Sequence, residues 1–90
     1  MYQVPAEISL RTATAVLKAG LGALEQNQTD FDLSGVTLAD SAAVATLLDW
    51  QRTAGKQSKT LQLHAVPANL LSLMRLYGVD KLFTIVAERH

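Results

Sequence analysis

The pattern of hydrophobic and polar residues predicts two strands near the middle of the chain. Phe31 and Leu33 alternate with polar residues, and so do Leu61 and Leu63. A two-residue period of this kind is typical of a strand that buries one of its faces. The predicted strands span residues 29–34 and 60–65.

Three other stretches repeat apolar residues with the period of a helix. Thr12 is a suitable N-cap for the first, Pro67 suits the first turn of the third, and Gly78 suits its end. The predicted helices span residues 12–26, 41–55 and 68–77. The side chains that this pattern assigns to the core are Val16, Leu17, Phe31, Leu33, Leu47, Leu48, Leu61, Leu63, Leu70, Leu73, Met74 and Tyr77.

The order of these elements predicts an α/β fold. Strands separated by single helices need crossover connections, so they must pair at least partly in parallel. We therefore expect a mixed β-sheet with helices packed on it. Residues 2–10 hold a weaker strand that Pro5 interrupts, and residues 82–86 hold a last one.

Two glycines lie inside the first predicted helix. Gly20 and Gly22 each weaken a helix by up to about 1 kcal/mol relative to alanine. A close packing contact is the preferred reason for their presence, and local looseness of the helix is the alternative.

Composition narrows the class of protein. Ninety residues make one domain, residues 1–90, and 49% apolar with 18% charged residues favour an ordered protein with a lightly charged surface. Such a surface suits a protein partner. The net charge is zero and no long basic run occurs, which argues against binding to nucleic acid. We also expect no direct membrane insertion, because no apolar run is long enough.

The start of the second predicted helix is the candidate site. Asp40 and Ser41 are both good N-cap residues, and they lie where backbone N–H groups and the positive end of the helix dipole converge. Trp50, further along, lies near the edge of the apolar arc. It is either a core residue or a partly exposed interface anchor.

The residues of this central unit resemble the core of a STAS domain. The resemblance is carried by residues 32–36 (Asp-Leu-Ser-Gly-Val), residues 40–43 (Asp-Ser-Ala-Ala) and residues 47–50 (Leu-Leu-Asp-Trp). The more specific match is to the MlaB-like group, the small STAS subunit of the Mla phospholipid-transport ABC complex. The resemblance extends over residues 7–83 and implies a single small STAS-like domain whose N-terminal strand is missing or shortened.

The resemblance implies a non-enzymatic protein that binds the ATPase subunit of an ABC transporter, together with its permease complex. The implied role is intermembrane phospholipid transport that maintains outer-membrane lipid asymmetry, from a cytoplasmic position peripheral to the inner membrane. The implied partner-binding residues are Asp40, Ser41, Ala42, Ala43 and Trp50.

The alternative is an anti-sigma factor antagonist that is regulated by phosphorylation of Ser41, since related proteins carry their phosphorylation at this place. Ala43 stands where the family has a glycine. Its side chain is expected to narrow the approach of a partner or kinase.

An enzyme would need a nucleophile, a base and an orienting acid, and the one set available is Ser41, His64 and Asp32. The chain has no nucleophile elbow, no phosphate-binding glycine loop and no metal-ligand spacing. Cysteine is absent, which removes thiolate chemistry. We therefore expect no catalytic residues, no metal and no cofactor.

Overall fold

The computed structural model describes residues 1–86 of the chain. Its helices are α1 (Ala13–Glu25), α2 (Ser41–Lys56) and α3 (Ala68–Leu76), with one turn of 3₁₀-helix at Asp80–Leu82. Its strands are β1 (Tyr2–Gln3), β2 (Glu7–Ile8), β3 (Asp30–Asp32), β4 (Leu38–Ala39), β5 (Gln62–His64) and β6 (Thr84–Val86).

Four of the strands form one sheet in the order β1-β3-β5-β6, and β2 pairs with β4 in a separate two-stranded ladder. Helices α1, α2 and α3 provide the crossovers between successive strands of the larger sheet. The α/β class is confirmed. Where a mixed sheet was expected, every pairing within residues 1–86 is parallel. The N-terminal strand is indeed short, because β1 ends before Pro5.

The two faces of the larger sheet differ in character. Phe31 in β3 with Leu33 just after it, and Leu63 in β5 with Leu61 just before it, have no exposed surface and join a core to which all three helices contribute. The alternate positions are polar and half-buried or exposed: Gln3, Asp30, Asp32, Gln62, His64 and Thr84. An all-parallel sheet is usually covered on both faces. The polar alternation explains why this one needs helices on its apolar face alone.

Each end of the three helices lies within one residue of its expected position. Met74 is buried as predicted, but the assignment of Tyr77 to the core was wrong, because its side chain is 51% exposed. Gly78, at φ +70°, ends the helix just after Tyr77 and leaves that side chain on the surface. Thr12 occupies the cap position of α1 without a capping hydrogen bond. Its hydroxyl instead donates to the Glu7 carbonyl at 3.0 Å.

Trp50 is the centre of the contact between α1 and α2. Its indole has no exposed surface, and its Nε1 donates a hydrogen bond to the Leu17 carbonyl at 3.0 Å. The ring packs edge-on against the Phe31 ring, with the two ring centroids 5.1 Å apart. The indole also fills the space above Gly20, where any Cβ atom would collide with it. Close packing is therefore the reason for Gly20, whereas Gly22 faces open space.

Within residues 1–86, no helix combines the length and the apolar character that crossing a membrane would require.

Candidate functional site

Asp40 is the residue that starts α2. Its backbone is extended, and its Oδ1 accepts a hydrogen bond from the Ala42 N–H at 2.8 Å. This bond satisfies one of the backbone donors that a helix leaves unpaired at its first turn. Ser41 is the first residue inside the helix, so of the two candidate caps Asp40 is the one used.

The second carboxylate oxygen of Asp40 reaches a different part of the chain. Oδ2 accepts from the Leu10 N–H at 3.1 Å, and the Asp40 N–H donates to the Ile8 carbonyl at 3.3 Å. These bonds extend the ladder of β2 and β4 by a further step. As a result, the turn formed by residues 7–12 is fixed against the start of α2.

That turn has a dense internal network of hydrogen bonds. The Ser9 hydroxyl donates to Glu7 Oε2 at 2.5 Å, and the Arg11 guanidinium pairs with Glu7 Oε1 at 2.7 Å. Thr12 Oγ1 accepts from the Ser9 N–H at 3.0 Å. The turn is therefore well defined, yet the Leu10 side chain at its tip is 85% exposed.

An open groove of about 320 Å³ runs along the first two turns of α2. It lies between that helix and the turn that follows α3. The residues that line it are Ser41, Val44, Ala45, Leu48, Tyr77 and Val79. None of them is charged, and Ser41 and Tyr77 contribute the hydroxyl groups. The groove is suited to an apolar surface of another molecule.

The structure places the predicted site residues in two groups. Ser41 is exposed, and Asp40 and Ala42 are half-buried, so these three are accessible at the start of α2. Ala43 and Trp50 have no exposed surface. The expectation that these two touch a partner is therefore corrected, because a fully buried side chain cannot be reached while the fold is intact. The methyl group of Ala43 points inward and does not narrow the approach to Ser41.

Sequence patterns did not identify most of the groove. Leu48 and Tyr77 had been assigned to the core, and Val79 had no assigned role. The sequence feature that could have indicated the exposure of Tyr77 and Val79 is Gly78, which lies between them. A residue at positive φ turns the chain and exposes its neighbours. Leu10 was assigned to a strand, and the turn that exposes it depends on Asp40, thirty residues away in the sequence.

Two carboxyl groups near this end of the molecule have shifted pKa values. The pKa of Glu7 is lowered mainly by the hydrogen bond from Ser9; desolvation, the next largest influence, raises it, and Arg11 lowers it further. The pKa of Asp32 is lowered mainly by hydrogen bonds from Ser34, whose N–H lies 2.9 Å from Asp32 Oδ1. In both cases the folded protein stabilises the ionised form.

The residues considered for a hydrolase do not form a catalytic set. Asp32 and His64 are opposite each other in the ladder between β3 and β5, on the polar face of the sheet. His64 Nε2 lies 2.8 Å from Asp30 Oδ1. Ser41 begins a helix that packs on the other, apolar face. The proposed nucleophile thus belongs to an element on one face of the sheet and the proposed base to the other face. Among the described residues, no three metal-ligating side chains cluster closely enough to hold an ion.

Comparison with protein-family profiles matches the chain over residues 3–87 to the family described as "Mlab, STAS domain". This range covers nearly the whole chain. A search of curated proteins finds no match.

Proposed function

Because this chain belongs to the STAS domains of the MlaB type, we propose that it binds the ATPase subunit of an ABC transporter. In this proposal the bound domain supports the transporter and its permease in moving phospholipid between the two membranes of a Gram-negative envelope, and so helps to maintain lipid asymmetry. The domain itself is not an enzyme. It resides in the cytoplasm and reaches the inner membrane through its partner.

The observation that carries this proposal is the uncharged groove at the start of α2. Leu48 and Val79 are half-buried and Tyr77 is half-exposed, so a partner that covers the groove would remove apolar surface from water. Burial of this kind is the main favourable term in protein association, and aromatic residues such as Tyr77 are enriched at binding hot spots. Catalysis is not needed to explain any of these features.

Ser41 lies at the end of the groove where side-chain size should matter most. It is small and exposed, and the neighbouring Ala45 is exposed as well. Small residues allow a partner backbone to approach closely. A large or charged side chain at position 41 would hold the partner away, and a charge there would have to be desolvated on docking.

The test is to measure binding of the purified ATPase subunit to variants of position 41. Ser41→Glu and Ser41→Arg should abolish co-purification, while Ser41→Ala should weaken it by less than about tenfold, which corresponds to about 1.4 kcal/mol. Thr60→Glu is the matched control, because Thr60 is exposed at the opposite end of α2, next to the Lys59 N–H that bonds the Ala54 carbonyl. It should bind like the wild-type protein.

Ser41 also favours a second function, that of an anti-sigma factor antagonist controlled by phosphorylation, because its hydroxyl is accessible to a kinase. In that case Ser41→Ala would bind its partner constitutively and Ser41→Glu would mimic the released state. Intact mass of the protein taken from its own cells separates the two functions. A phosphate on Ser41 together with a kinase partner would overturn the transporter assignment.

A further inference from the structure

We propose that Asp40 is a positioning residue that holds Leu10 in place for the same partner. This inference rests on the proposed function and extends it to a second contact. One carboxylate oxygen caps α2 through Ala42, and the other fixes the backbone of Leu10. A single side chain therefore sets the position of the turn relative to the helix.

The exposure of Leu10 is the first reason for the proposal. At 85% it is the most exposed of the large hydrophobic residues in the described chain. Such residues are often flexible, but the turn around Leu10 is held by the bonds among Glu7, Ser9, Arg11 and Thr12. Because the backbone of the turn is already held in place, binding through Leu10 costs little backbone freedom.

Continuity with the groove is the second reason. The Leu10 N–H bonds Asp40, and Ser41, the next residue, lines the groove. A partner that covers Ser41 and the groove therefore also lies beside Leu10. The occupant of both surfaces is the ATPase subunit, and it should present an apolar depression to Leu10.

The chemistry of Asp40 allows its hydrogen bond from the Ala42 N–H to be kept while its hydrogen bond from the Leu10 N–H is removed. Asparagine is as good an N-cap as aspartate, so Asp40→Asn keeps the bond from Ala42. Its amide group has one acceptor oxygen and one donor nitrogen. With the oxygen facing Ala42, the nitrogen faces the Leu10 N–H, where two donors cannot bond.

The first arm of the experiment needs no partner. Amide hydrogen exchange of Leu10, followed by NMR, should become about two- to tenfold faster in Asp40→Asn, which is the range for loss of one hydrogen bond. Asp49→Asn is the matched control, because it removes a carboxylate from the same helix, where Asp49 pairs with Arg52. The control should leave Leu10 unchanged. Equal exchange in Asp40→Asn and the wild-type protein would overturn the positioning role.

The second arm measures affinity for the ATPase subunit in a double-mutant cycle. Leu10→Ala should weaken binding by about fivefold or more, the threshold usual for a significant interface residue. Asp40→Asn should weaken binding in the wild-type background and have much less effect when Leu10 is already alanine, because it acts through that side chain. A purely structural role for Asp40 would give equal losses in both backgrounds.

The outcomes distinguish this inference from the proposed function. If the wild-type domain does not bind the ATPase subunit, both fail. If the wild-type domain binds and Leu10→Ala binds equally well, the inference alone is wrong, since Leu10→Ala leaves the groove and the helix cap intact.

Discussion

The two halves of α2 both bury an inner face in the core but differ in what covers their flanks. In the second half, Trp50 is enclosed by α1 and by the sheet, with Gly20 leaving the space that its indole needs. In the first half, Ser41, Ala45 and Leu48 face an open groove. The same helix thus buries its inner face along its length, with one flank enclosed near Trp50 and one flank open to solvent near Ser41.

This difference distinguishes a part of α2 that is enclosed by the fold from a part that lines an open groove. Changes near Trp50 alter contacts that the protein makes with itself, and changes near Ser41 alter a surface that it presents. Because the inner face of α2 is buried along its length, the exposed residues of the groove are held in place without having to contribute to folding themselves.

The largest effect is expected from Trp50→Ala. Removal of the indole deletes a fully buried side chain, its contact with Phe31 and its hydrogen bond to Leu17. Such changes lower the free energy of unfolding by about 3–5 kcal/mol, a large part of the stability of a small domain. Urea unfolding followed by circular dichroism measures it. A loss below about 1 kcal/mol would show that the contacts of Trp50 are not central to the fold.

A smaller effect, with a matched control, is expected at the two glycines of α1. Gly20→Ala places a methyl group against the rigid indole of Trp50 and should destabilise the domain by about 1–3 kcal/mol. Gly22→Ala meets no neighbour and should stabilise it by up to about 1 kcal/mol, because alanine is the better helix former. Thermal unfolding of the two variants and of the wild-type protein measures both changes in stability. Shifts of the same sign would contradict the packing described for Gly20.

Packing and periodicity explain how much of this structure the sequence could predict. The strands around Phe31 and Leu63, and all three helices, have patterns that repeat over several residues, and their predicted positions are confirmed. Strands β2 and β4 have two residues each, too few to show a period, and they were not predicted as a pair. Their pairing depends on contacts between distant parts of the chain.

The position of Trp50 shows the same limit. The helical pattern placed it near the edge of the apolar arc, which left both a core and an interface role open. Its burial depends on Gly20, thirty residues earlier and on another helix. The start of α2, by contrast, was predicted from local chemistry, since an aspartate can cap a helix wherever the helix packs.

The smallest effect on stability is expected from acid. The pKa values of Glu7 and Asp32 are lower in the folded protein than in the unfolded chain, where such groups have a pKa of about 4. Their stabilising contribution is therefore complete above that pH and is lost as the pH falls through the folded values. Urea unfolding measured between neutral pH and about pH 3 should show that the free energy of unfolding declines as the pH falls.

Glu7→Gln should show a smaller decline than the wild-type protein over this range, because one of the two shifted groups is gone. Gly22→Ala should keep the wild-type pH dependence, since it alters no charge. An equal decline in Glu7→Gln and the wild-type protein would mean that the turn of residues 7–12 contributes nothing to acid sensitivity.

The enclosure of Trp50 has a spectroscopic consequence. It is the one tryptophan in the chain, so it alone supplies the indole fluorescence of the protein. An indole with no exposed surface should emit at short wavelength, be shielded from dissolved quenchers and shift to long wavelength when the core opens. Because the groove lies at the other end of α2, docking there should leave this emission nearly unchanged. The emission of Trp50 thus serves as an optical probe of unfolding that should respond little to changes in the groove.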